Sequence, residues 1–153
     1  MTGSKFVYVT FIRASAEKIF DALTKPEFTQ KYWAGTRQES GWCVGSPWKA
    51  FAPNGRMVDD GEIVEIDRPN KLVFTWRNRL FADMEKEGFS RCTYLLEPSG
   101  SCTKLTLTHE IDVSPSKVIE GVSQGWPMVL ASLKSFLETG APLEESTKWP
   151  EGI

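Results

Sequence analysis

The sequence predicts one α+β domain in which a curved antiparallel sheet of about six to seven strands wraps a long C-terminal helix, with two short helices after strand 1. Three observations carry this expectation. Lys71 to Asn78 and Cys102 to Ile111 alternate apolar and polar residues with the period of two that a half-buried strand requires. Turn residues recur at short intervals between them, as in a meander. From about Pro115 to Thr139, Val118, Val122, Trp126, Val129, Leu133 and Phe136 step by three and four, which is the apolar stripe of a helix.

The first strand spans Lys5 to Ile12, a β-branched and aromatic run with apolar residues on both faces, so it is expected to be covered on both sides. Ser15 then caps a short helix whose Ile19, Phe20 and Leu23 share one face. Pro26 ends that helix and opens a second one carrying Phe28, Tyr32 and Trp33. Pro47 to Ala52 and Met57 to Asp67 flank Pro53-Asn54-Gly55-Arg56, a hairpin signal, and Arg68-Pro69-Asn70 makes the next reversal. Leu72, Phe74 and Trp76 share one face of the following strand, and a loop runs from Arg79 to Gly88. Phe89 to Glu97 and Cys102 to Ile111 flank Pro98-Ser99-Gly100-Ser101; Cys92, Tyr94 and Leu96 face inward from one, and Leu105, Leu107, His109 and Ile111 from the other. Ser114 is placed to cap the last helix and Gly140 to stop it, with Ile119, Leu130 and Leu137 beside its main stripe. Gly125-Trp126-Pro127 predicts a kink or a fresh helix start near Ser123. Residues 1–143 form the domain and 144–153 a tail, whose Glu144, Glu145 and Glu151 read as a solvated end.

This order, with three local signatures, resembles the START-like (SRPBCC) helix-grip superfamily, in the branch related to the activator of heat-shock protein 90 ATPase. Phe20-Asp21-Ala22-Leu23-Thr24-Lys25-Pro26-Glu27 with Tyr32-Trp33 is similar to the family's first helix pair. Asp60-Gly61-Glu62-Ile63-Val64-Glu65-Ile66-Asp67-Arg68-Pro69, followed by Leu72-Val73-Phe74-Thr75-Trp76, is similar to its central hairpin. The third is Leu105-Thr106-Leu107-Thr108-His109, then Gly125-Trp126 and Leu130-Ala131-Ser132-Leu133-Lys134. The resemblance implies a sheet gripping the last helix with an apolar cavity in the gap. The activator that names the branch carries a separate chaperone-binding domain, for which there is no room ahead of Lys5, so chaperone activation is not expected.

Composition removes several function classes. With 18 basic and 20 acidic residues the net charge is -2, and no basic field exists to attract a phosphate backbone. No apolar run approaches the ~20 residues of a membrane helix. Cys43, Cys92 and Cys102 cannot all pair within one chain, and Met1 to Phe11 lacks the pattern of a signal peptide, so reduced thiols in the cytoplasm are expected. One histidine and widely spaced cysteines write no zinc pattern, and no glycine-rich phosphate cradle is present, so neither metal nor cofactor is expected. Gly41-Trp42-Cys43-Val44-Gly45 imitates a nucleophile elbow, but Ser46-Pro47 follows where a helix is needed, so a simple turn is the better reading.

What remains is a binding inventory. Six tryptophans are many for 153 residues, and each brings an N–H that a sealed apolar core rarely satisfies, which favours a cavity with a flat or partly polar guest. Trp76 and Trp126 lead the candidate ligand-binding residues, with Trp33, Trp48, Phe74, Tyr94, Leu130 and the flexible Met57 and Met84. His109 points inward by strand parity and has two readings, a hydrogen-bonded structural group or a ligand contact; no adjacent carboxylate orients its ring for catalysis. The leading expectation is a binding protein for a hydrophobic, aromatic or lipid-like small molecule, with loops after Trp33 and Trp76 gating entry. The alternatives are a polyketide cyclase or aromatase-like enzyme, for which only His109 and Tyr94 qualify, and a protein-interaction module. A homodimer is compatible with the sequence.

Overall fold

Lys71–Asn78 and Cys102–Ile111, the segments of cleanest alternation, form strands with those bounds. The structure is a computed structural model and describes residues 3–151, so the outermost ends of the expected domain and tail, 1–2 and 152–153, lie outside the described residues. Among the described residues, seven strands form one antiparallel sheet: β1 (Ser4–Ile12), β2 (Arg37–Ser40), β3 (Pro47–Phe51), β4 (Met57–Asp67), β5 (Lys71–Asn78), β6 (Ser90–Ser99) and β7 (Cys102–Ile111), in the order β1-β7-β6-β5-β4-β3-β2. Helices α1 (Ala16–Thr24) and α2 (Pro26–Tyr32) follow β1, a short α3 (Ala82–Glu85) lies in the loop after β5, and α4 (Lys117–Thr139) closes the domain. Trp126, Leu130 and Leu133 of α4 enter one core with Phe74, Cys92, Tyr94, Leu96, Leu105 and Leu107 of the sheet. This is the α+β helix-grip arrangement.

The sheet bends where β4 is irregular. Its register shifts against β3 between Ala50 and Phe51, and against β5 between Ile63 and Glu65. A bulge of this kind adds twist and curls the sheet toward the helix. Gly61 sits between the two shifts, where a Cβ atom would lie 1.8 Å from the Thr75 carbonyl oxygen. Only glycine admits that approach, and the Thr75 hydroxyl accepts the Glu62 N–H at 2.9 Å beside it.

Four expectations need correction. β1 is not covered on both sides: Val7, Val9 and Phe11 are 51%, 45% and 47% exposed, because they lie on the sheet face away from the core and only the Phe6 and Tyr8 face packs inward. α4 starts two residues later than expected. Ser116, not Ser114, accepts the Ile119 N–H, and the Glu87 carboxylate takes the N–H groups of Lys117 and Val118. No fresh start occurs near Ser123: α4 is continuous through Pro127, held by buried Trp126 on one side and buried Leu130 and Leu133 on the other. Gly140 ends it at φ 87, as expected of a C-terminal glycine.

The tail is the fourth. Glu144, Glu145 and Glu151 are exposed, but the chain folds back after Leu143: a 3-10 turn (Glu144–Ser146) buries Ser146, whose carbonyl accepts the Ala34 N–H at 2.6 Å. Trp149 then packs against the core.

Candidate functional site

Strand parity and the α2 exit bring the aromatic residues together as expected, and their contacts decide how much space they leave. Trp48 of β3 packs on Phe74 and Trp76 of β5 at centroid distances of 4.8 and 5.0 Å. Trp33, the last residue of the α2 turn, meets Trp76 at 6.1 Å and Trp126 of α4 at 5.2 Å. Tyr94 meets Phe74 at 5.8 Å and Trp126 edge-on at 6.0 Å. These contacts fill the middle of the grip. Phe74, Tyr94, His109 and Leu130, expected on the cavity wall, are at most 1% exposed and are sealed inside the packed core instead.

The open space lies at one end, in two compartments that share Trp33 and Trp76 as a partition. The outer one, about 320 Å3, is bounded by the partition, by Phe81 and Met84 of the α3 loop, and by Val122, Trp126 and Val129 of α4. Gly121 and Gly125 give it width: a Cβ on Gly125 would meet nothing within 4 Å, and the terminal methyl of Met84 occupies the place of a Cβ on Gly121. The inner compartment, about 150 Å3, is bounded by the partition with Trp48, Gln38, Asp59 and Trp149. Of the expected residues, Trp33, Trp76, Met84 and Trp126 therefore face open space, while Trp48, although fully buried, borders the inner compartment. Met57 is half-buried at the start of β4, beyond the register shift, and lines neither compartment.

The α3 loop is tied down at both ends. Arg79 forms a bidentate pair with Asp60 at 2.8 and 3.0 Å and reaches Glu85 at 2.9 Å, while the Arg77 guanidinium donates to the Glu85 carbonyl at 3.0 Å. Glu87 accepts from the Ser116 hydroxyl and two backbone N–H groups of α4; burial pushes its carboxyl up, but these bonds outweigh that and hold it below the usual range. The loop was expected to lack secondary structure because its helix is a single turn, too short to show a period.

His109 is fully enclosed and both ring nitrogens are engaged. Its Nδ1 accepts the Trp126 indole N–H at 3.0 Å, so in the neutral ring Nε2 carries the proton and donates to Ser90 Oγ at 2.7 Å. Ser90 Oγ in turn donates to the Trp76 carbonyl at 2.9 Å. Burial lowers the imidazole pKa to about 4, consistent with a neutral structural group. The sheet thus positions Trp126 through a relay, and no nitrogen is left for a reaction.

The tryptophan N–H groups also find partners inside the protein. Trp126 donates to His109, Trp48 donates to Gln38 Oε1 at 3.2 Å, and the Trp76 indole holds the Asp59 carboxyl down against the effect of burial. A partly polar guest is therefore not needed to satisfy them. The reverse holds for two acceptors: among the described residues, Asp59 Oδ1 and the Tyr94 hydroxyl are the buried side-chain polar atoms without a partner. Burial, with a smaller push from Asp60, raises the Asp59 carboxyl to about 7 against the hydrogen bond from Trp76. Sequence reading passed over Asp59, Gln38 and Trp149. Asp59 shares parity with Gly61 and inward Ile63, a signal that could have found it; Gln38 and Trp149 lie in a four-residue strand and a tail without periodicity.

Because the Tyr94 hydroxyl lines neither compartment and bonds nothing, Tyr94→Phe is expected to keep or raise stability by about 1 kcal/mol, read by urea denaturation. A loss above 1 kcal/mol would show that the hydroxyl has a partner.

Residues 13–138 match the model of the family described as activator of Hsp90 ATPase homolog 1-like protein. The chain belongs to this family. Solved structures agree in fold: the Aha1 dimer of Colwellia psychrerythraea is 23% identical, with 90% of this chain and 98% of that chain covered at a TM-score of 0.72. CalU16 from Micromonospora echinospora is 20% identical over 89% and 77% of the two chains at 0.70. An HSP90 activator from Plasmodium falciparum is 25% identical over 80% and 86% at 0.65. No curated protein matches the chain significantly. The activator-like family assignment and the helix-grip fold expected from the three signatures thus both stand. Among the described residues no helix is long and apolar enough to cross a membrane, and no group of three or more His, Cys, Asp or Glu side chains could hold a metal ion. Cys43 sits at the exposed turn between β2 and β3, with no helix after it, so the elbow-like motif is a turn.

Proposed function

We propose that this protein binds a hydrophobic small molecule in the outer compartment, between the α3 loop, α4 and the Trp33–Trp76 partition. The observation that carries the reading is an apolar space of about 320 Å3, within the range of small-molecule sites, in which Asn78 is the one non-aromatic polar side chain among the described residues. Met84 and Phe81, on a loop held from both sides by Arg79 and Glu87, form its lid. The enclosed His109 and the unpartnered Tyr94, the only groups offered for cyclase chemistry, lie behind the wall, which supports binding over catalysis. A chaperone-binding role has no feature of this site in its support. Three free thiols support a reducing, cytoplasmic setting.

Gly125→Leu tests the reading, since Gly125 lines the compartment and a Cβ there meets nothing within 4 Å. The neutral fluorophore N-phenyl-1-naphthylamine should bind the wild type saturably and the variant at least tenfold more weakly. Native mass spectrometry of the protein purified from its host should show a copurifying apolar molecule in the wild type alone. Equal fluorophore binding by both proteins, or none by either, overturns the proposal.

The exposed Val7, Val9 and Phe11 row on edge strand β1 supports a twofold contact between copies. Sedimentation should show a dimer that Phe11→Lys converts to monomer; a monomeric wild type at all concentrations sinks this part.

A further inference from the structure

We propose that the inner compartment is a cage for a small organic cation of the quaternary or methylated ammonium class, with Trp33, Trp48, Trp76 and Trp149 as its walls and Asp59 as its counter-charge. The walls are aromatic on several sides and inclined to one another: Trp48 and Trp76 meet at 55°, Trp33 and Trp76 at 45°. Ring faces attract a cation held within about 6 Å. Four tryptophans alone would accept any apolar group. The carboxylate makes the difference.

The polar groups of this compartment decide the sign of the guest. Gln38 Oε1 is occupied by the Trp48 N–H, and the Thr36 hydroxyl donates to the Trp33 carbonyl at 2.7 Å. What is left unpartnered is an acceptor, Asp59 Oδ1, on a residue only 9% exposed that lines the space. Among the described residues no basic side chain lines the compartment, and Asp60 next door is already clamped by Arg79. An aromatic enclosure with one free acceptor and no base suits a cation, and a quaternary ammonium suits it best because it brings no N–H that would need further acceptors. The compartment is small, about 150 Å3, which suits a compact cation. This site is separate from the outer compartment, so either can fail without the other.

The full chain at pH 8 would be titrated calorimetrically with tetramethylammonium chloride and with choline chloride, against sodium chloride of equal ionic strength, and with 3,3-dimethylbutan-1-ol, the uncharged counterpart of choline. Saturable binding of both cations is expected, with the alcohol at least tenfold weaker. Asp59→Asn should weaken cation binding at least tenfold, its fold being checked by circular dichroism. Gly125→Leu should lose the fluorophore yet keep the cation. Asp59 has strand neighbours Ala50 and Asn78, no second titratable group in the lining and Asp60 beside it, so affinity should fall about tenfold from pH 8 to pH 6 as its carboxyl takes a proton. Equal affinity for the alcohol, no saturable cation binding, or cation binding kept in Asp59→Asn but lost in Gly125→Leu each overturns the proposal. The wild-type comparison decides even if Asp59→Asn does not fold.

Discussion

His109→Ala is expected to lower stability by about 3 to 5 kcal/mol at pH 7.5, measured by urea denaturation with the slope checked for two-state behaviour. The substitution removes a filled volume from the core and also strands two polar groups. Trp126 Nε1 loses its acceptor and Ser90 Oγ loses one of two partners, both away from water. The effect should carry a pH signature. The folded pKa of His109, about 4, lies below the ordinary 6.5, so the native state binds fewer protons than the unfolded chain between those values. Its stabilising contribution is complete above about pH 6.5 and is lost as pH falls toward 4, at about 1.4 kcal/mol per pH unit. The gap between wild type and His109→Ala should therefore narrow across that window. A gap that stays constant from pH 7.5 to 4.5 would mean that the ring is not held neutral. Because Trp126 forms a wall of the outer compartment, fluorophore affinity should drop too, which makes His109 a positioning residue for the site without touching the ligand.

The architecture was legible because its strongest signals are local. β7 alternates without interruption, β5 does so apart from buried Val73, and α4 keeps an apolar stripe along its length, so element type, order and the strand bounds Lys71–Asn78 and Cys102–Ile111 follow from spacing. The inward parity of Cys92, Tyr94 and Leu96 was readable for the same reason, and Phe89, on the opposite parity, is exposed. What spacing cannot report is where a face lies in the sheet. The two apolar faces of β1 read as a covered strand, whereas nothing in the domain packs on the outer face of the sheet there, which leaves Val7, Val9 and Phe11 in water.

The site was half legible. Residue type and parity gathered Trp33, Trp48, Trp76 and Trp126 in one place, yet whether large side chains enclose a space or fill it depends on sub-ångström packing that no pattern encodes. Phe74, Tyr94 and His109 have the same parity credentials as Trp76 and are sealed behind it. The tryptophan N–H groups were read as seeking a guest because their partners, Gln38, His109 and Asp59, sit in other strands at distances along the chain that sequence cannot pair. Pro127 predicts a break from local chemistry, and tertiary anchoring of Trp126 and Leu130 overrides it.

Asp59→Asn should raise stability relative to wild type by an amount that grows with pH, on the order of 4 kcal/mol at most, between about pH 4 and pH 7, and stays level above. The carboxyl is raised from 3.8 to about 7 chiefly by burial, so over that interval the native state holds a proton that the unfolded chain has released. A raised acid contributes stability that is complete below about 3.8 and is lost as pH climbs through 7, again at about 1.4 kcal/mol per unit. Asparagine removes the titration, and the difference between the two proteins cancels every other ionisable group. His109 and Asp59 thus act in opposite directions between about pH 4 and 6.5, where their slopes offset one another, and Asp59 alone acts from there to about 7. In His109→Ala the Asp59 slope should stand uncovered against the double variant, the difference between the two growing as pH rises from 4 to 7. A wild type and Asp59→Asn that run parallel from pH 4 to 8 would show that the carboxyl is ionised throughout, with a partner for Oδ1. If they diverge as expected, the folded protein above pH 7 holds a buried negative charge facing an aromatic cavity. Tetramethylammonium should then restore at pH 8 a large part of the stability difference in the wild type and none in Asp59→Asn, because a ligand that binds only the native state stabilises it by RT ln(1 + L/Kd), where L is its free concentration.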